Sequence, residues 1–365
     1  MKRFLICMTV VFVALAFVNC KTGGEGSSAL PGASGKSGLF GLFGKGKCND
    51  DLGDIDTTYA GFTAEDPNTW LTRNVADHRI KYGTDPLNFA DLRLPKDDRL
   101  KSADGYPVMV VIHGGGWNST RSLDWIGGVA EALTDFGIAT WNLEFRRIGN
   151  PGGAYPGEFQ DVGKAVDHLR VLAPEYNLDM SRVGLIGHSS GGHLVLWAAS
   201  RHKIDPSSPL YVADPLPIKG VVNLAGIPNL EDAYLEGNRT DTFDLLNLNS
   251  ADPTGSYTLA QPLYPSTSPY HMLPIGVRTS SIIGDLDNAW RIGITQQYHD
   301  AAIAGGDDAK WTLMPGMSHW DTPDICGPGW PTMVQEVHWV LDAPPPTGDL
   351  NKSRFCPQNG RVPAP

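Results

Sequence analysis

Residues 182–193 read R-V-G-L-I-G-H-S-S-G-G-H, and one serine in that stretch has the setting of a nucleophile. An apolar, strand-like run from Val183 to Ile186 ends at Gly187, the chain passes Ser189, and a helix-like run follows from Leu194 to Ser200. Gly187, Ser189 and Gly191 form G-x-S-x-G, the pattern of a nucleophile elbow. The spacing has a physical cause. A serine on a tight strand-to-helix turn has a strained backbone, and its flanking positions lie too close to neighbouring chain for a Cβ. Such a turn lifts Oγ above a sheet edge and leaves it at a helix N-terminus, where N–H groups and the dipole favour developing negative charge. Taken alone the pattern also fits a Gly/Ser-rich loop, so the rest of the chain must supply the partners.

Three other stretches can do so. His113-Gly114-Gly115-Gly116-Trp117 closes an apolar run. Three successive glycines cost much chain entropy, and their use would be to bring bare N–H groups close to a reacting oxygen. Gly114, Gly115 and Ser190 are the candidate oxyanion donors. A flexible loop or a phosphate-binding turn would compete, but the Lys-Ser/Thr of a P-loop is missing. Asp287 ends I-I-G-D-L-D, and His319 sits in M-P-G-M-S-H-W-D, each just past a predicted strand. Loops there project over the carboxyl edge of a parallel sheet. Ser189 as nucleophile, His319 as base and Asp287 as the orienting acid would carry out acyl transfer. Asp285 is the competing acid. Trp117, His188, Trp290 and Trp320 lie within a few residues of these elements; pocket wall and core packing are the two readings for each. His113 reads as a brace for the glycine loop, His193 as a packed or exposed histidine, and Arg146 and Arg147 as partners of scaffold carboxylates. No C-x-x-C spacing occurs, so no metal and no redox cofactor is indicated.

The elements that must position these residues alternate along the chain. Arg79 to Gly83 and Ala90 to Leu94 read as two strands joined across Thr84-Asp85-Pro86. Pro107 to Ile112 is apolar on both faces, as a central covered strand must be. Then follow a helix from Leu123 to Phe136 stopped by Gly137, a strand from Ile138 to Leu143, and a helix from about Glu158 to Ala173. The elbow strand and helix come next, then a strand from Ile218 to Leu224. From Gly226 to Pro274 periodicity weakens, which reads as an insertion over the site or a plain surface excursion. A strand (Val277 to Ile283), a helix (Ala289 to Ala304), a short strand (Trp311 to Met314) and a helix (Pro331 to Leu341) complete the order. This βαβα succession predicts a mostly parallel sheet with helices on both faces.

Jointly the motifs resemble a known superfamily. His113-Gly114-Gly115-Gly116-Trp117, Gly187-His188-Ser189-Ser190-Gly191-Gly192, Gly284-Asp285-Leu286-Asp287, Pro315-Gly316-Met317-Ser318-His319 and the segment from Trp141 to Val162 resemble the α/β-hydrolases. Within them the resemblance is to esterases of the hormone-sensitive-lipase and kynurenine-formamidase-like group, and it covers about Asp77 to Leu341. It implies an α/β-hydrolase fold, a triad in the chain order Ser189, Asp287, His319, no cofactor, and a small-molecule ester as substrate. Two departures stand out. The acid loop of this group often reads G-x-x-D-x-x-V-P, whereas Asn288-Ala289-Trp290-Arg291 follows Asp287 here. Formamidases often carry an aromatic at the third position after the oxyanion His, where this chain has Gly116; that favours a general esterase over an arylformamidase-like amidase. A polysaccharide acetyl or feruloyl esterase is a further variant, and a non-catalytic binding protein would be expected to lack a triad member.

Composition fits an enzyme domain. The 365 residues are 41% hydrophobic and 19% charged, with a formal net charge of −11 and no basic cluster, which argues against a nucleic-acid partner. Lys2 and Arg3 precede an apolar run from Phe4 to Val18, a secretory signal over residues 1–20. Ala14-Leu15-Ala16 offers a cleavage site, and Cys20 offers instead a lipoprotein-type acylated cysteine that would anchor the chain to a membrane. The Gly- and Ser-rich residues 21–50 read as a tether, residues 51–345 as the catalytic domain with its 226–274 insertion, and residues 346–365 as a tail. The expected location is exported: periplasmic, membrane-tethered or secreted. Cys48, Cys326 and Cys356 would persist in an oxidising compartment, where pairing can occur. Oligomeric state is left open.

Overall fold

A computed structural model describes residues 75–348 and residue 350. The signal, the tether, Cys20, Cys48 and Cys356 lie outside the described residues. Cys326 is disulfide-bonded, and the chain's other four cysteines are all outside that range. Among the described residues no helix is long and apolar enough to cross a membrane.

Eight strands form one sheet. They are β1 (His78–Lys81), β2 (Phe89–Arg93), β3 (Tyr106–Ile112), β4 (Ala139–Leu143), β5 (Leu178–His188), β6 (Gly220–Leu224), β7 (Arg278–Gly284) and β8 (Ala309–Met314). The order across the sheet is β1-β2-β4-β3-β5-β6-β7-β8. The β1 and β2 strands pair antiparallel, and β2 is antiparallel to β4; every later pair is parallel. The central strands alternate strictly between two apolar layers. Val108, Val110 and Ile112 of β3 enter one core, while Met109 and Val111 enter the other. That is why the run reads as continuously hydrophobic: helices cover both faces.

One layer holds α1 (Gly127–Leu133) and α10 (Trp330–Val340), whose Val129, Leu133, Met333 and Val337 pack beneath Val111, Ile186 and Val222. The other holds α2 (Gly157–Asp167), α3 (Leu169–Tyr176), α4 (Ser190–Ser200) and α9 (Ala289–Ala304). The helix expected from Glu158 to Ala173 is two helices that break at His168. Pro174 lies inside α3 and cannot donate to the carbonyl of Arg170. The elbow strand is also longer than its apolar core suggested: it begins at Leu178, which pairs with Tyr106, and residues 179–182 lie at the register shift before the Val108–Val183 pair.

The weakly periodic segment after β6 is helical. It forms α5 (Leu230–Leu235), α6 (Asp241–Leu245), α7 (Pro253–Ala260) and α8 (Tyr264–Thr267). Each is too short to show a helical stripe, yet the caps are legible. The Asn229 side chain accepts from the N–H groups of Glu231 and Asp232, and Asp252 accepts from that of Gly255.

Because β3, β5, β7 and β8 run parallel, their carboxyl ends and the loops that follow share one edge, and that edge carries every candidate catalytic residue. Leu185 anchors the elbow strand and is wholly buried. Leu185→Ala is predicted to cost about 2–5 kcal/mol, read as a lower urea midpoint at unchanged slope. A loss below about 1 kcal/mol would contradict the central placement of β5.

Candidate active site

The strand β5 ends at His188 and α4 begins at Ser190, leaving Ser189 alone to make the turn. It does so at φ 57° and ψ −120°, a conformation that L-residues rarely adopt. The turn closes only because Gly191 has no side chain: a Cβ there would lie 2.2 Å from the Ile112 carbonyl oxygen. Ser189 Oγ donates to His319 Nε2 at 3.1 Å, and His319 Nδ1 donates to Asp287 Oδ2 at 2.7 Å. The nucleophile comes from the β5–α4 turn, the acid from the loop after β7 and the imidazole from the loop after β8.

Electrostatics favour these protonation states. Burial pushes the Asp287 carboxyl up, but the His319 hydrogen bond and the His319 and Arg291 charges outweigh it and hold it at about 2. Burial pulls the His319 imidazole below its usual range; Asp287 opposes this, while Arg291 and Arg239 add to it. At neutral pH the acid is therefore ionised and the base is neutral, with Nε2 open to a proton. Asp285, the competing acid, is turned elsewhere: its Oδ1 accepts from the Gly316 N–H at 2.7 Å.

The glycine loop lies directly against the nucleophile. A Cβ on Gly114 would meet the His188 carbonyl oxygen at 2.7 Å and Ser189 Cβ at 3.1 Å, so only glycine brings this backbone so near. Gly115, Gly116 and Trp117 all have positive φ, at 122°, 63° and 57°. Two buried networks hold the loop. Behind it, His113 Nδ1 donates to the Gly114 carbonyl at 2.8 Å, and its ring stacks on Phe145 with centroids 4.7 Å apart. Its Nε2 faces Arg147, which is paired with Glu144 at 2.7 Å. Burial and the Arg147 charge push His113 down to about 3, so it stays neutral. At the far end, Trp117 Nε1 donates to His193 Nδ1 at 3.2 Å, and His193 Nε2 donates to the Thr267 carbonyl at 2.8 Å.

These contacts correct two expectations. Trp117 is buried and turned into the core by its bond to His193, so it is not a pocket wall. His188 is also buried; its Nε2 donates to the His319 carbonyl at 3.0 Å and its ring lies 4.6 Å from the imidazole, so it supports the base from behind. Trp290 is partly buried and packs beneath the guanidinium groups of Arg239 and Arg291. Trp320, by contrast, is 52% exposed beside His319 and meets Trp125 edge-on. Arg146 and Arg147 pair with Asp161 and Glu144, as scaffold residues would.

Sequence reasoning missed three residues. Arg291 donates to Asp287 Oδ1 at 2.6 Å, and its position four residues on, in the first turn of α9, was a readable i,i+4 signal. Arg239 and Asp241, an ion pair from the insertion, stand over Gly116: a Cβ there would lie 3.7 Å from Asp241 Oδ2. Nothing in the local pattern pointed to them. No cluster of metal-ligating side chains occurs among the described residues.

The family model described as BD-FAE matches residues 91–268. Kynurenine formamidase of Meyerozyma guilliermondii is 29% identical over 165 residues, which cover 42% of this chain and 55% of that enzyme. The chain thus spans about half the length of this curated relative. Among solved structures, a truncated carbohydrate esterase from gut microbiota matches with a TM-score of 0.59 at 20% identity, covering 75% of this chain and 98% of that one. The propionate-bound esterase Est2 of Thermogutta terrifontis matches with a TM-score of 0.58 at 17% identity, covering 73% and 93%.

A fluorophosphonate probe is predicted to label Ser189 stoichiometrically and to leave Ser189→Ala unlabelled. Asp287→Asn should slow labelling by about 10³-fold or more, whereas Asp285→Asn should stay within about threefold. The opposite ranking of the two aspartates would reassign the acid.

Proposed function

We propose that this chain, which belongs to the α/β-hydrolases in their hormone-sensitive-lipase and kynurenine-formamidase-like group, is an exported serine carboxylic ester hydrolase. The observation that carries the reading is the continuous relay from Ser189 Oγ through His319 to Asp287, set against the glycine loop. Ser189 Oγ attacks the acyl carbonyl as His319 Nε2 takes its proton; Asp287 keeps the imidazole in the Nδ1–H tautomer and stabilises the imidazolium. The N–H groups of Gly114, Gly115 and Ser190 receive the oxyanion, each donor contributing on the order of 3 kcal/mol in the transition state. His319 then protonates the leaving alcohol. Water, deprotonated by the same imidazole, attacks the acyl-enzyme and releases the acid. No step calls on a metal or an organic cofactor.

The aromatic side chains beside the base bear on the substrate class. Trp320 is exposed beside the base with Trp125 against it, which supports an aryl or sugar group on one side of the scissile bond. Similarity to a carbohydrate esterase supports a polysaccharide acetyl or feruloyl ester as one such substrate. Similarity to a formamidase supports an arylformamidase-like amidase as the second reading, against which Gly116 stands in place of an aromatic. Export rests on the amino-terminal pattern, with Cys20 as the candidate lipid-bearing residue.

Hydrolysis of p-nitrophenyl esters from C2 to C12 is expected from the parent and lost by about 10³-fold or more in Ser189→Ala. A phenyl ester should be cleaved faster than an N-formyl anilide. Faster cleavage of the anilide would favour the amidase.

A further inference from the structure

The residue that replaces the expected proline of the acid loop is Arg291, and it is buried against the triad. It is 3% exposed, and its Nη1 donates to Asp287 Oδ1 at 2.6 Å. The other carboxylate oxygen accepts from His319 Nδ1 at 2.7 Å. Oδ1 also accepts from the Asn288 N–H at 2.6 Å, so both oxygens are engaged and the carboxylate cannot rotate without breaking a bond. The guanidinium is held in place by Trp290, whose ring lies 4.5 Å from its Cζ.

The same Nη1 lies 3.3 Å from His319 Nδ1. That nitrogen already carries the proton given to Asp287, so two donors face each other, and a positive charge sits beside the ring that becomes imidazolium. We propose that Arg291 is a positioning residue that locks the Asp287 carboxylate onto His319 and sets the lower pH bound of the triad. The inference rests on the serine-hydrolase reading and deepens it.

Burial is the largest influence lowering His319, and among the charges around it Arg291 is the strongest cation. From the acid loop, Asp287 attracts the imidazolium, and from α9, Arg291 repels it. From the insertion Arg239 also repels it, but that charge is answered by Asp241, to which it is bonded. From β5, His188 is held neutral by burial and by the neighbouring His319 charge. A guanidinium this deep is costly unless paired, and its carboxylate partner is the acid itself. The consequence has a definite sign. A base must be neutral to act, so repulsion of the imidazolium extends activity to lower pH, at some expense in stabilising the imidazolium of the transition state.

The test is the pH profile of kcat/KM on p-nitrophenyl acetate for the full chain, Arg291→Gln and Arg291→Lys. Gln keeps a donor, on a shorter side chain, without the charge; Lys keeps the charge without the fork. The acid limb of Arg291→Gln should move up by roughly one pH unit, a loss of about tenfold on the acid side, at a plateau within about tenfold of the parent. Arg291→Lys should hold the limb and lower the plateau. A limb that stays put in Arg291→Gln, or moves equally in both variants, would overturn the proposal in favour of a merely structural arginine. Should Arg291→Gln fail to fold, Arg291→Met takes its place and NMR titration of His319 decides: a midpoint higher in Arg291→Met than in the parent supports the proposal, and an unchanged midpoint overturns it. A parent that neither hydrolyses esters nor takes a fluorophosphonate would instead sink the serine-hydrolase reading, while the NMR midpoint would still answer for Arg291.

Discussion

Ser189 sits at φ 57° and ψ −120°, and the local structure around it exists to keep it there. Such a conformation costs an L-residue of order 1–3 kcal/mol, so it persists only where the surroundings over-determine it. Here they do. The strand before it is locked in the middle of a parallel sheet, between β3 and β6, and the helix after it is buried along its whole length. The two are forced together over the end of β3 by a glycine that nearly touches the Ile112 carbonyl. The strain turns the hydroxyl out of the sheet, towards a base that arrives from a loop 130 residues later in the chain.

The rest of the site follows from making the environment of that hydroxyl rigid. The glycine loop could wander, since three glycines resist nothing by themselves. It is tied at one end by His113, Glu144 and Arg147, and at the other by Trp117, His193 and Thr267. Both histidines are neutral and each uses one nitrogen as donor and the other as acceptor, which fixes their tautomers. The second tie ends on the insertion, so the helices after β6 are part of the support of the loop as well as a wall near it.

Much of this was legible before any coordinates. Continuous apolar runs and their alternation with helical stretches placed the parallel core, and α9 begins and ends where its sequence run does, from Ala289 to Ala304. Ser189, Asp287 and His319 could be proposed together because each follows a strand in a parallel sheet, and topology alone sends such loops to one edge. What stayed hidden has physical causes. The four helices of the insertion are too short for a stripe to emerge. Trp117 and His188 lie next to the site in sequence but face the core, since sequence adjacency says nothing about which way a side chain turns. Arg239 reaches the glycine loop through tertiary packing, which no local pattern encodes. Arg291 was the exception: its spacing from Asp287 was readable, but an arginine on a helix surface is commonplace, and its burial was not visible in the sequence.

The central claim is that Ser189 becomes covalently acylated during turnover. Mass spectrometry of the full chain, quenched while turning over a slowly deacylating p-nitrophenyl ester, tests it most directly. The account predicts one acyl group per chain, carried on the tryptic peptide spanning residues 183–201 and located at Ser189. Turnover with no acyl adduct, or with the acyl group on a residue outside that peptide, would contradict it.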